Sequence, residues 1–142
     1  MAVMQISVQL PNVPGSLTKL IDVLDKESIT IKAVLAASSL DDSTIRLVVN
    51  NPQRAAAVFD SAHIKYELAP VLALEVPAHT AGLNAIIKPL SKAEINILYL
   101  YTTIDRIGKE TIVILGVDKI DEATEVLKQH WINFVGDQVY SL

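Results

Sequence analysis

Met4-Gln5-Ile6-Ser7-Val8-Gln9-Leu10-Pro11 alternates strictly, with Met4, Ile6, Val8 and Leu10 on one face and Gln5, Ser7 and Gln9 on the other. That pattern predicts a β-strand with one buried side. Leu17, Leu20, Ile21 and Leu24 follow at the i, i+3, i+4, i+7 spacing of a single helix face. Sixty-six positions on, the same text returns. Ile6, Val8, Leu10 and Pro11 fall on Leu72, Leu74, Val76 and Pro77, and Leu17, Leu20, Ile21 and Leu24 fall on Leu83, Ile86, Ile87 and Leu90. Lys26 then meets Lys92, and Ile29 and Ile31 meet Ile95 and Ile97. One or two inserted residues align the rest: Ile45 with Ile112, Leu47 with Ile114, Ala56 with Ala123 and Ile64 with Ile132. Periodicity alone can match a strand and a helix by chance, but not six elements in the same order, so the chain reads as an internal duplication.

Working outward through the first copy, Asp25-Lys26-Glu27-Ser28 ends the first helix and Ile29 to Ala37 reads as a second strand. Asp41-Asp42 turns into a third strand, Thr44 to Val49. Asn51 and Pro52 look like the cap and first residue of a helix that Ala55 to Ala62 continues, and Lys65 to Leu68 forms a short fourth strand. In the second copy, strands are expected at Leu72–Val76, Ile95–Ile104, Thr111–Val117 and Asn133–Tyr140. Its helices are expected at Ala81–Lys92 and, capped by Asp118, at Glu122–His130. Pro89 should kink or shorten the first of these. The order βαββαβ, twice, predicts an α+β chain of two tandem ferredoxin-like modules, residues 1–70 and 71–142, each an antiparallel sheet with its helices on one face.

Composition narrows the function. A net charge of −4 argues against a polyanionic partner, which needs a concentrated basic surface. With no Cys there is no disulfide framework, thiol nucleophile or thiolate metal site, and a metal chaperone of this shape would need a Cys pair in its first loop. RNA-binding relatives stack bases on aromatic residues of the central strands, and Gln5–Gln9 and Thr44–Val49 carry none. Small hydrolases of this shape need an Arg in the first loop, also missing. The start of the chain lacks a basic and then apolar leader, and no run reaches the roughly 18–20 apolar residues of a membrane span. A cytoplasmic location is therefore expected.

What remains is the loop Pro11-Asn12-Val13-Pro14-Gly15-Ser16-Leu17, between a strand and a helix N-terminus. Free backbone N–H groups and the positive end of the helix dipole suit a carboxylate there. Gly15 would let a ligand approach closely, and Asn12 could accept from an ammonium or donate to a carboxylate. Equally, Asn12 and Ser16 could cap the helix while Pro14-Gly15 makes the bend.

Asn12-x-Pro14-Gly15-x-Leu17, followed by Ile29-Thr30-Ile31, resembles the ACT-domain signature of an Asp or Asn, Pro-Gly and Leu, and a later Gly-Ile-Asn-Ile-like strand. Glu94-Ile95-Asn96-Ile97 of the second copy matches that strand closely, and Val71 to Pro77 is similar to the start of the second module in stand-alone tandem ACT proteins. The resemblance spans nearly the whole chain. It implies a non-catalytic, allosteric regulatory protein that binds an amino acid between modules, without a cofactor. The ligand would be held by the Pro-Gly loop of one module and the second strand of its neighbour. By position, Asn12, Val13, Pro14, Gly15, Ser16 and Leu17 are loop candidates, and Ile29, Thr30, Ile31, Ile95, Asn96 and Ile97 are strand candidates. The second loop departs from the pattern, with Ala78, Thr80 and Ala81 where the first has Asn12, Pro14 and Gly15. Its candidates are His79, Gly82 and Leu83. The alternative is a regulatory subunit or interaction module of a metabolic enzyme, with no ligand of its own.

His63 and His130, near the ends of equivalent helices, read as structural, since no carboxylates stand at metal-ligand spacing from them. Tyr99 and Tyr101 share a strand face and suit core or dimer packing, and Trp131 reads as a satellite-core residue. Asp121, Glu122 and Glu125 form a solvated face. The apolar strand Ile95–Ile104 makes a homodimer the expected assembly.

Overall fold

In the computed structural model, residues 2–77, 80–108 and 110–142 are described, Thr80 by its backbone only. The elements are β1 (Val3–Pro11), α1 (Ser16–Lys26), β2 (Ile31–Ser38), β3 (Asp42–Val49), α2 (Pro52–Ser61), β4 (Tyr66–Val76), α3 (Thr80–Lys92), β5 (Ile97–Thr102), β6 (Thr111–Val117), α4 (Ile120–Gln129), β7 (Asn133–Phe134) and a closing 3₁₀ turn, Asp137–Ser141. They group into two units: Met4–Ala69, and Pro70–Leu142 with the chain start up to Val3.

In the first unit the strand order is β2-β3-β1-β4, with β1 and β2 both antiparallel to β3. Ile6, Val8, Ile45, Leu47 and Val49 meet Leu20 and Leu24 of α1 and Ala55 and Phe59 of α2 in one apolar cluster. The second unit repeats the order as β7-β4-β6-β5. Leu72, Leu74, Val76, Val113 and Leu115 pack there with Ile86, Leu90, Ala123 and Leu127. Both units are thus antiparallel ferredoxin-like βαββαβ modules, the α+β class expected.

The registers sharpen the internal alignment. Ile6 opposes Leu47 as Leu72 opposes Leu115, and Val8 opposes Ile45 as Leu74 opposes Val113. The third strands therefore correspond at a shift of 68: Ile45 matches Val113, not Ile112, and Ala55, not Ala56, matches Ala123. The one-residue error has a physical weight, because a slip of one moves every side chain of a strand to the other face. It was hard to see because Ile112-Val113-Ile114-Leu115 is apolar throughout. Such runs mark strands buried on both sides, and Val71, Ala73, Ile112 and Ile114 are fully buried along with the helix-facing residues between them. Even β1 departs from a one-sided strand, since Gln5 is buried.

All four helices end alike. Ser28, His63, Glu94 and Trp131 adopt left-handed backbone at φ 56°, 57°, 58° and 61°. The next residue's N–H donates back over the helix end: Ile29 to Leu24 O (3.0 Å), Ile64 to Phe59 O (2.9 Å), Ile95 to Leu90 O (3.0 Å) and Ile132 to Leu127 O (3.2 Å). This is the Schellman arrangement, in which the apolar residue after the left-handed one lies near the last core residue of the helix. In each case the two apolar partners are five positions apart.

Several expectations need correction. Trp131 is not a core residue: holding the left-handed position, it points out and is 91% exposed. Asp118 does not cap α4, whose cap position is Lys119. Its carboxylate instead accepts the Asn96 N–H at 3.0 Å, as the Asn50 side chain accepts the Thr30 N–H at 3.0 Å. Asn51 does cap α2, accepting from the Arg54 N–H at 3.1 Å with Pro52 behind it. Pro89 does not shorten α3, which runs from Thr80 through to Lys92. The two predicted strands around residues 65–68 and 72–76 are one element, β4. The last strand stops at Phe134. A strand through Val139 would bury Asp137 on the same face as Val135 and Val139, whereas the 3₁₀ turn buries both valines and leaves Asp137 exposed. Among the described residues no helix is long and apolar enough to cross a membrane.

Candidate functional site

The β1–α1 loop is set by its two ends. Pro11 closes β1, pairing with Asp42 across the sheet, and the Val13 N–H turns back to Pro11 O at 2.9 Å. Asn12 does not cap the helix. Its backbone N–H donates to Asp41 O (2.9 Å) and its Nδ2 to Ser39 O (3.0 Å) and Leu40 O (3.4 Å). The residue thereby ties the loop to the β2–β3 turn. The amide group is oriented by these bonds, and its oxygen keeps its acceptor capacity.

The helix cap is Gly15, at φ 87°. Only glycine takes this backbone without a Cβ penalty, and with no side chain it cannot satisfy the first helical N–H groups. Ser16 N–H reaches Val13 O at 3.3 Å and Lys19 N–H reaches Gly15 O at 3.1 Å. Those of Leu17 and Thr18, in the first turn, have no intrahelical acceptor. Apart from its chain neighbours, no atom lies within 4 Å of where a Gly15 Cβ would stand, so the space on that side of the cap is open. Val13, 58% exposed, Leu17 and the 91% exposed Leu40 surround it with apolar surface. The loop offers two N–H donors at a helix N-terminus beside an apolar rim, which is the chemistry of a small carboxylate-bearing ligand.

The strand candidates fall in three environments. Ile29 and Ile95 lie in their units' cores, Ile31 and Ile97 pack half-buried against them, and Thr30 and Asn96 are exposed. The Thr30 and Asn96 backbone N–H groups are taken by Asn50 and Asp118, so their side chains are what they have left to offer. In the second loop His79 lies outside the described residues. Gly82 is buried in the first turn of α3, where a Cβ would run into the Pro77 carbonyl, and Leu83 packs on the core. Gly15 is required for its angle and Gly82 for its missing side chain, so the two loops solve different problems.

Two groups weighed in the sequence have local partners within their own unit. The Tyr99 ring lies over Gly116 of the neighbouring strand, with its centroid 6.3 Å from that of the buried Tyr101. His130 Nδ1 is 2.9 Å from Val126 O. Sequence reasoning missed the pairing of Tyr66 with Asp60, whose carboxylate accepts the phenol at 3.1 Å. Desolvation, then that bond and the carboxylate's charge, push the Tyr66 phenol above its ordinary value of 10.0. A six-residue spacing across a helix end carries no periodic signal. Among the described residues no group of His, Asp and Glu could hold a metal ion.

A family model described as an ACT domain pair matches residues 1–141. The chain belongs to the ACT domain pairs. Among solved structures, this ACT pair is similar to a protein of Bacteroides thetaiotaomicron at 26% identity and a TM-score of 0.91, covering 100% of this chain and 98% of that one. It also resembles the ligand-free regulatory subunit of aspartate kinase from Thermus thermophilus, at 16% identity and a TM-score of 0.61, over 89% and 91% of the two chains. The corresponding subunit from Thermus flavus aligns at 12% identity and 0.60, over 90% and 92%. At such identities these last two likenesses are of fold. No curated protein sequence matches the ACT pair.

Proposed function

We propose that this ACT pair is a non-catalytic regulatory protein that binds an amino acid. Its modules are residues 1–70 and 71–142, and its ligand lies against the loop Asn12–Leu17 and the second strand of a neighbouring module, with Thr30 and Asn96, the residues immediately before β2 and β5, as the polar contributors. The observation that carries the reading is the α1 N-terminus, capped by a glycine at φ 87°, with open space beyond it. A carboxylate there would take up the N–H groups that nothing else satisfies. The second loop, with Gly82 closed against Pro77, is the weaker partner, so one loop binds per chain. The protein works in the cytoplasm as a homodimer, for which β5 offers an edge with Leu98 exposed.

Thermal-shift screening against the twenty amino acids tests this. A ligand at one hundred times its dissociation constant stabilises by about 2.7 kcal/mol, and the gain should vanish in Gly15→Val and fall in Asn12→Ala. A flat screen at millimolar ligand would refute it. A second reading is favoured by the apolar surface of Val13, Leu17 and Leu40 around the loop: a regulatory subunit that docks a metabolic enzyme through this end. Co-purification of a stoichiometric enzyme, lost in Leu40→Asp, together with a flat ligand screen, would decide for it.

A further inference from the structure

A cleft of the first unit lies away from the Pro-Gly loop. It has a volume of about 890 Å³ and lies where α2 hands over to β4, beside β1, with Asp60, His63, Lys65, Tyr66 and Glu67 in its wall and Ser7 and Gln9 across from them. That volume is within the range of small-molecule sites. Ile64 and the Tyr66 ring give it an apolar floor, and its other lining residues are polar or charged.

The duplication supplies a control. The second unit shows what the same fold places at the same positions. At the shifts that the registers establish, Ser7, Asp60, His63, Tyr66 and Glu67 correspond to Ala73, Lys128, Trp131, Phe134 and Val135. At four of these five points the second unit carries an apolar residue, and at the fifth the charge is reversed, so fold maintenance does not demand the groups that the first unit places there. Phe134 has no hydroxyl and Lys128 no carboxylate, so the Tyr66–Asp60 bond is peculiar to the first unit. That bond sets the phenol and one carboxylate oxygen relative to each other. His63 is held in place by the helix-end turn it occupies. Lys65, immediately before β4, and Glu67, its second residue, are both exposed and both line the cleft.

We propose that this cleft is a ligand site of the first unit alone, taking a small zwitterion. Asp60 and Glu67 face its cationic end, and Lys65 and His63 its anionic end. Tyr66, a neutral hydrogen-bond donor at physiological pH, orients Asp60. An anion alone would leave the carboxylates of Asp60 and Glu67 without a partner, and a cation alone would leave the Lys65 ammonium without one, so a molecule with both ends is preferred. The site shares no residue with the loop Asn12–Leu17.

The test is amide NMR of the full chain titrated with each α-amino acid, with propionate and ethylammonium as one-ended relatives of alanine. Amide shifts at His63, Lys65 and Glu67 that saturate with an amino acid, and at least tenfold weaker binding of both one-ended probes, are expected. Lys65→Met and Glu67→Gln, exposed substitutions that leave the core intact, should each weaken that binding at least tenfold, while Gly15→Val should not. Shifts confined to residues 12–17 and abolished by Gly15→Val would overturn the cleft and leave the loop reading standing. Shifts in the cleft without any at the loop would do the reverse. Equal binding of propionate or ethylammonium would overturn the zwitterion assignment, and no shifts at all would overturn both sites.

Discussion

Replacing Trp131 with glycine should make the protein more stable, although it deletes the largest side chain in the sequence. Trp131 holds φ 61° at the end of α4 and is 91% exposed. Left-handed backbone costs an L-residue roughly 1–2 kcal/mol, which glycine does not incur. Against this stand two losses. About 9% of a surface of roughly 250 Å² is buried, worth about 0.5 kcal/mol at 25 cal/mol per Å², and glycine's extra freedom in the unfolded chain costs about 0.5 kcal/mol more. The balance is a gain of about 0.5 kcal/mol, or roughly 1–2 °C for a chain of this length. Trp131→Ala keeps the backbone strain and loses the same contact, so the cleaner figure is the difference between the two variants, with glycine ahead by about 1 kcal/mol. Because Trp131 is the single tryptophan, unfolding must be followed by circular dichroism in urea, not by tryptophan fluorescence. If Trp131→Gly proved no more stable than Trp131→Ala, the left-handed helix end would not be a source of strain, and the parallel argument for Ser28, His63 and Glu94 would fall with it.

Phe59 is fully buried between α2 and the sheet, and Phe59→Ala should lower the urea-unfolding free energy by about 3–5 kcal/mol. Asp118→Ala removes the acceptor of the Asn96 N–H and should cost about 1 kcal/mol, with faster hydrogen exchange at Asn96 as its local signature. Tyr66 should ionise above 10.0 in an ultraviolet titration, and Asp60→Asn should bring its midpoint down toward that value. Because the folded-state value is raised, the folded chain holds that proton more tightly than the unfolded one. The contribution of Tyr66 is therefore complete below pH 10 and is lost as the pH climbs through the raised value, a loss that Tyr66→Phe should abolish.

How much of this was legible beforehand depends on the range of the forces involved. The duplication, the element order and the two helix-side cores follow from local periodicity, since residues two apart in a strand or three and four apart in a helix must share a face. The Asn51–Pro52 helix start is local too, as is the five-residue spacing from Leu24, Phe59, Leu90 and Leu127 to the isoleucines behind them. The roles of single polar residues were not legible. Asn12 reads as a helix cap, but its partners at Ser39 and Leu40 are 27 and 28 positions away. Asp118 reads as a cap for α4, but it serves Asn96, 22 positions back.

The loop at Pro14-Gly15 was thus visible as a candidate, and the structure added that its helix N-terminus has no side-chain cap and that the space beside Gly15 is open. The cleft around Tyr66 was not visible, because its lining comes from β1, α2 and β4 with no common period. By itself the sequence determined the repeated scaffold, which rests on which face of each element is apolar. Only the tertiary structure decided which polar side chains meet, because a hydrogen bond needs its partners within about 3 Å, and the chain positions that come so close are chosen by the packing of the whole unit.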